Sequence, residues 1–425
     1  MKLTGFLFAA ALLGACTQPA AEENYTRHVD PKIGTGGHGH VFVGANVPFG
    51  LVQVGPTSIP QTWDWCSGYH ASDSTVIGFS HTHLSGTGIG DLFDVTVMPV
   101  TGEVTYARGE EADPASGLWS YADRTQEIAR PGYYSVPLTR YGIRAELTAT
   151  ARVGLHRYTF PASEKAAVVF DLENGGCWDK ATETHLAKEG DRTVTGWRHS
   201  TGWAKDQRVY FVAEFSKPFE KFETIGDNYA RASFRTTDGE QVSLKVALSP
   251  VSVEGARENL AAELPGWDFD ATAKAADKAW NDELSKVKIE TEDETSKRIF
   301  YTALYHTMVA PSLFCDVNGD YYGSDHAIHR NADFTNYTTF SLWDTYRAAM
   351  PLMTVLHPEK MADIVQTMLT ISDEQGRLPV WHLWGNETDC MVGNPGIVAV
   401  ADAIVKGIGG FDREKAFEAI RKTAM

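Results

Sequence analysis

Apolar and polar positions alternate through the first half of the chain and recur every three to four residues through the second. Residues 241–253 (QVSLKVALSPVSV) alternate, and residues 207–215 (QRVYFVAEF) and 166–172 are runs of β-branched and aromatic side chains. A period of two puts successive side chains on opposite faces, the pattern of strands in a half-buried sheet. Gly and Pro punctuate the runs at short intervals, as in PGYYSVPL at 131–138. From about Tyr25 to Ser252 the signals are β, with little sustained helical period, and residues 27–265 are therefore predicted to form an antiparallel β-sandwich domain.

Past Pro265 the period changes. Residues 270–287 are helical in composition and lie in a predicted linker helix, 266–290. Residues 293–309 place Ile299, Phe300, Ala303, Leu304 and Met308 on one stripe. Pro358 suits the first position of a further helix, with Met361, Ile364, Val365, Met368 and Leu369 spaced by three and four. Residues 391–406 and 412–424 add two more, the last opening at Asp412, a good N-cap. Residues 291–425 thus read as helical, alternating amphipathic and apolar faces as in a closed helical toroid. The expectation is an interrupted toroid, since no closing element precedes Met425.

Charge and composition narrow the partners. The 425 residues carry a net charge of −17, which repels phosphate backbones and argues against nucleic acid. The 11 Trp and 16 Tyr offer flat apolar faces with polar tips, suited to sugars as well as to cores. At the N-terminus Lys2, an apolar run over 3–13 and Leu13-Gly14-Ala15-Cys16 follow in order. The run is too short to span a bilayer and fits a secretion signal. The cleavage site resembles the bacterial lipobox, so 1–15 is predicted to be a signal peptide, Cys16 lipidated, and 16–26 a tether. The expected location is periplasmic or cell-surface, with membrane contact through the lipid alone. Cys66, Cys177, Cys315 and Cys390 allow three disulfide pairings between which spacing does not choose. No Cys or Cys/His spacing suits structural zinc, and nothing in the pattern specifies an oligomer.

Three stretches are too rich in Trp, His, Asp and Gly for routine packing: 30–50 with WDWCSGYH at 63–70, GFSHTHLSGTGIGD at 78–91, and SLWDTYR at 341–347 with LPVWHLWGNETDCMVG at 378–393. The glycine clusters at 34–37 and 86–90 fit no nucleotide loop, because Asp91 stands where a glycine is needed and no GK[ST] follows. They read as tight turns. His38/His40 and His81/His83 read as structural hydrogen-bonders before metal ligands. Trp63 and Trp65 either share one strand face, with Asp64 opposite, or line a sugar pocket. Asp344 and Arg347, three apart near a helix start, form either an ion pair or a clamp on vicinal hydroxyls. His382 and Glu387 lie among Trp381, Trp384 and Asp389, where Glu387 is either a general acid raised by apolar surroundings or a capping carboxylate. A Cys/His amidase has one local candidate, Cys66 near His70.

These motifs, in this order, closely resemble the α-mannosidases of glycoside hydrolase family 92, from about residue 27 onward. The resemblance implies a β-sandwich packed on an (α/α)6 barrel, with the active site between them. It implies calcium-dependent, inverting exo-hydrolysis of α-linked mannose, expected to be α-1,2-linked, from N-glycans or mannan. Substrate contact is expected from Trp63, Asp64, Trp65, Asp344, Arg347, His382 and Glu387. The family's EGN-type, GN-x-D-x-GQMSAW and NEP-x-H motifs do not occur in residues 1–425. The acid, the base and most Ca2+ ligands are therefore expected beyond residue 425, with Glu387 the fallback acid. A chain without those carboxylates also admits a second reading, a non-catalytic glycan-binding lipoprotein.

Overall fold

The computed structural model describes residues 23–425 apart from 61 and 114. The predicted signal peptide and Cys16 lie outside the described residues. Among these, two large antiparallel sheets form a sandwich. One runs in the order Lys180–Glu189, Thr193–Thr201, Gln207–Phe215, Glu240–Ser249, Val153–Phe160, Ile143–Ala149, Tyr133–Leu138, Ile128–Arg130. The other runs Gly55–Thr57, Gly78–Ser80, Thr96–Thr101, Ser163–Asp171, Tyr229–Thr236, Lys221–Ile225.

The period-two pattern explains how the larger sheet is covered on both faces. In Glu240–Ser249 the side chains of Val242, Leu244, Val246 and Leu248 enter the core between the sheets, beside Phe170, Phe211 and Phe215. Val153, Leu155, Val212 and Ala247 point the other way, against Ala256, Leu260 and Phe269. Those residues belong to two helices, α1 (Val253–Glu263) and α2 (Phe269–Leu284), laid over the outer face. Lys245 shares that face; its apolar stem is buried and its ammonium sits 3.9 Å from the Trp267 ring centre.

Helix α1 falls inside the segment 27–265 assigned to the sandwich domain, after its last strand. Ser252 caps it by accepting the Gly255 N–H, and its buried face is Gly255, Ala256, Asn259 and Leu260. Small residues let the helix lie close on the sheet, so no apolar stripe announces it. Further helices are α3 (Glu294–His306), α4 (Leu342–Thr345), α5 (Ala349–Leu356), α6 (Pro358–Gln375), α7 (Pro395–Val405) and α8 (Arg413–Ala424). Met361, Ile364, Val365, Met368 and Leu369 of α6 are all buried, as their spacing predicts. Asp412 caps α8 by accepting the Glu414 and Lys415 N–H groups. In α3 the stripe is rotated from its expected place: Ile299 is 57% exposed, while Tyr301, Leu304, Tyr305 and Met308 are buried. The two tyrosines win the inner face because it offers hydroxyl partners, the Val287 carbonyl and the Asn46 side chain. Tyr25, Val29, Phe42 and Phe49, from the start of the described chain, pack into this helical core and not into the sandwich.

Candidate functional site

A cleft of about 530 Å³ opens where the end of the sandwich meets the helical half, lined by Trp178, Gly202, Trp203, Lys205, Thr388, Asp389 and Cys390. That size suits a small ligand. Two loops between sandwich strands form one wall. Gly202 is required there, since a Cβ would stand 2.5 Å from Asp91 Oδ1. The approach lets the Trp203 and Ala204 N–H groups donate to Asp91 at 3.0 and 2.9 Å. Burial pushes the Asp91 carboxyl up to about 6. Gly90 is likewise needed for closeness, to Cys177, and its carbonyl accepts the Trp178 N–H at 2.8 Å.

Behind this wall lies a fully buried charge network. Arg198 donates to Asp94 at 2.7 Å, to the Leu172 carbonyl at 2.8 Å, and pairs with Asp179. Thr82 and Gln207 complete Asp94, and Ser200 completes Asp179. Burial opposes the Arg198 charge, but Asp179 and Asp94 outweigh it and raise the guanidinium pKa.

The opposite wall is a short hairpin. Trp381–Leu383 pairs with Phe340–Ser341 on one side and Asn386–Glu387 on the other. Glu387 binds it together, accepting from the Val380, Trp381 and Asp389 N–H groups at 2.8, 2.9 and 3.0 Å. Trp203 and Trp381 meet edge to face across the junction, ring centres 6.2 Å apart. Asp389 pairs with Arg377.

Both walls store backbone strain. Leu92, Phe93 and Val95 have φ of 73°, 66° and 52°, and Trp384, Asp389 and Met391 have φ of 49°, 54° and 73°. Such left-handed conformations cost of order 1–3 kcal/mol each for non-glycine residues and gather where geometry serves function. The Leu92 carbonyl accepts the Gly176 N–H, so the first strained run holds the loop that carries Trp178.

The predicted residues divide. Trp63, Asp64 and Trp65 form a 3₁₀ turn, which corrects the strand reading and sends the indoles apart. Trp63 is 48% exposed and packs on His38 and His40. Trp65 stacks on His70 and donates to Asp73. Asp64 bonds His38 at 2.8 Å, which holds its carboxyl below the usual range. The turn lies next to the cleft, because Cys177 Sγ donates to the Thr62 carbonyl. Asp344 and Arg347 are both exposed and are not paired with each other: Asp344 accepts from Ser341, and Arg347 lies over Trp343 and Tyr346. Their ion-pair reading is corrected. His382 is 2% exposed, bonds Ser324 Oγ at 3.0 Å, and is lowered to about 4 by burial. It is not among the residues lining the cleft. With both oxygens of Glu387 committed to backbone donors, that carboxylate is an anchor, against its reading as general acid. The four described cysteines are free. Burial pushes Cys66 up to about 12, and His70 bonds Ser72 and the Gly37 carbonyl, so no Cys/His nucleophile exists here. His81 and His83 serve structure, donating to the Val95 and Gln53 carbonyls.

The sequence reading missed Trp178, Trp203, Lys205 and Asp389 as lining residues. A usable signal was present: glycine beside tryptophan in two inter-strand loops, GGCW at 175–178 and GW at 202–203.

Comparison with known proteins agrees with this layout. Residues 28–249 match the glycosyl hydrolase family 92 N-terminal domain, and residues 255–425 match the family 92 catalytic domain. The chain belongs to glycoside hydrolase family 92. A family 92 α-mannosidase from Bacteroides thetaiotaomicron, solved in complex with mannoimidazole, is 39% identical with a TM-score of 0.90, over 95% of this chain and 56% of that one. A family 92 inverting mannosidase from the same organism is 29% identical with a TM-score of 0.83, over 95% and 55%. An uncharacterized secreted glycosidase of Arthroderma benhamiae is 26% identical over 95% of this chain and 52% of its own length. The family 92 chain described here thus spans just over half the length of these relatives. Among its described residues no helix is long and apolar enough to cross a membrane.

Proposed function

We propose that this protein acts on glycans ending in α-linked mannose, and that the cleft between sandwich and hairpin receives the sugar. The carrying observation is the juxtaposition of Trp178 and Trp203 with Lys205, Thr388 and Asp389 in one cleft. Indole faces cover the CH-rich side of a pyranose, while ammonium, hydroxyl and carboxylate bond its hydroxyls. The 39% identity to an α-mannosidase solved with mannoimidazole supports mannose as the sugar.

Inverting hydrolysis in an exo mode, on α-1,2 linkages of N-glycans or mannan, completes the proposal. It needs a carboxylic acid and a carboxylate base about 6.5–9.5 Å apart, with water between base and anomeric carbon. Asp389 is the one carboxylate among the described lining residues, and Arg377 neutralises it. The described cleft therefore performs recognition. Calcium dependence is supported by the family alone. A Ca2+ ion takes 6–8 oxygens, and a single ion-paired carboxylate beside one hydroxyl does not fit that cage. The described lining, with one ion-paired carboxylate, also supports a second reading, glycan binding without turnover. Secretion is supported by the secreted relative, and anchoring through Cys16 by the lipobox pattern alone. A Cys16→Ala chain should be released in soluble form.

Calorimetry with α-1,2-mannobiose and with kojibiose, its gluco counterpart, tests the reading, with mannose release assayed in parallel. Saturable binding of mannobiose over kojibiose supports it. Absence of mannobiose binding contradicts it, and turnover by this chain overturns the assignment of recognition alone.

A further inference from the structure

A hairpin in the helical half converges three metal-ligating side chains on one point. Its strands are Tyr321–Tyr322 and Ile328–His329, with Asp325 in the turn, and it packs on the last turn of α6, which carries Glu374. His329 Nε2 lies 3.1 and 3.2 Å from the two Asp325 oxygens and 3.4 Å from Glu374 Oε1. One ring nitrogen carries at most one hydrogen, yet three carboxylate oxygens face it. For bonds of about 2.1 Å to a tetrahedral or octahedral ion, ligand atoms should stand about 3.0–3.4 Å apart, which matches these separations.

Three further observations point to an ion and not to a simple ion pair. Gly323 has no conformational need to be glycine, but a Cβ there would sit 2.6 Å from Asp325 Oδ1 and 2.7 Å from His329 Nε2. The missing side chain leaves space beside the donor atoms. The donors are also held in place: Tyr321 OH and the Ser324 N–H bond Glu374 at 2.9 and 2.7 Å, Ala327 N–H bonds Asp325 at 3.0 Å, and Tyr321 stacks on His329. Glu374 is only 7% exposed.

We propose that Asp325, His329 and Glu374 bind a divalent transition ion of the Zn2+ class, with water in the open position. One imidazole with two carboxylates suits such an ion, and the bound ion clasps the hairpin to α6. The clasp reaches the cleft through Tyr322 of the same hairpin, which donates to Asp206, next to Lys205, at 2.9 Å.

The test uses the whole 425-residue chain, stripped with EDTA and titrated with ZnCl2 by calorimetry. Absorption after Co2+ loading reports the ligand geometry. The expected result is one equivalent bound at micromolar Kd or tighter, and a thermal midpoint raised by about 5 °C at saturating ion. Asp325→Asn, on the exposed turn, should bind at least tenfold more weakly with an unchanged near-UV spectrum, and Gly323→Ala should abolish binding. No binding at millimolar Zn2+, or binding unaltered in both variants, would overturn the proposal.

Discussion

The two walls of the cleft are built on opposite plans. The sandwich wall rests on fully buried charges, Arg198 between Asp94 and Asp179, with Asp91 drawing in the loop that carries Trp203. The hairpin wall rests on one partly exposed carboxylate, Glu387, which gathers three backbone N–H groups. A buried ion network tolerates little change, because removing one member strands the others without solvent. A carboxylate on backbone donors near water loses less when altered. The sandwich wall is therefore the rigid reference, and the hairpin is the side that adjusts to a ligand.

Breaking that contrast gives a graded series. Arg198→Met should have the largest effect, about 3–5 kcal/mol of lost stability in urea unfolding, since two carboxylates stay buried without a partner. Next comes acid sensitivity of the sandwich. Burial lowers His83 to about 4 in the fold, against about 6.5 unfolded. Between those pH values the unfolded state takes a proton that the fold refuses, so stability falls as pH drops from 6.5 to 4. For His83 alone the loss is of order 3 kcal/mol, and His83→Gln should make the stability curve shallower over that window, while His81, His306 and His382, lowered in the same sense by burial, keep the rest of the slope. Asp91, pushed up to about 6, acts in the opposite sense, losing stability as pH rises through that value, and persists in both proteins. Glu387→Gln should cost about 1–2 kcal/mol, because an amide offers one acceptor oxygen where three donors wait. A variant as damaging as Arg198→Met would erase the distinction between the walls. Trp203→Ala should weaken mannobiose binding about tenfold, roughly 1.4 kcal/mol.

Regular elements were legible where one face was large and apolar. The α6 stripe and the Asp412 cap could be read because Met, Ile, Val and Leu repeat by three and four behind strong start signals. Helix α1 was hidden because its contact face is Gly255, Ala256 and Asn259. The α3 stripe was misread because hydroxyl partners drew tyrosines inward past Ile299 and Phe300. Two of the motifs border this cleft: Gly90 of GTGIGD accepts the Trp178 N–H, and GNETDC supplies Thr388, Asp389 and Cys390 to the hairpin wall. They did not supply roles. Glu387 shares its motif with cleft residues while Asp344 and Arg347 lie in SLWDTYR, which supplies none; side-chain direction and backbone partners come from tertiary packing, which spacing does not encode.

The most direct test of a two-walled sugar cleft is hydrogen exchange of the chain with and without saturating α-1,2-mannobiose. Simultaneous slowing at 200–206 and 386–391, larger in the hairpin than in the sandwich loop, is the predicted result. Protection confined to one wall, or absent from both while ligand is bound, would contradict the account.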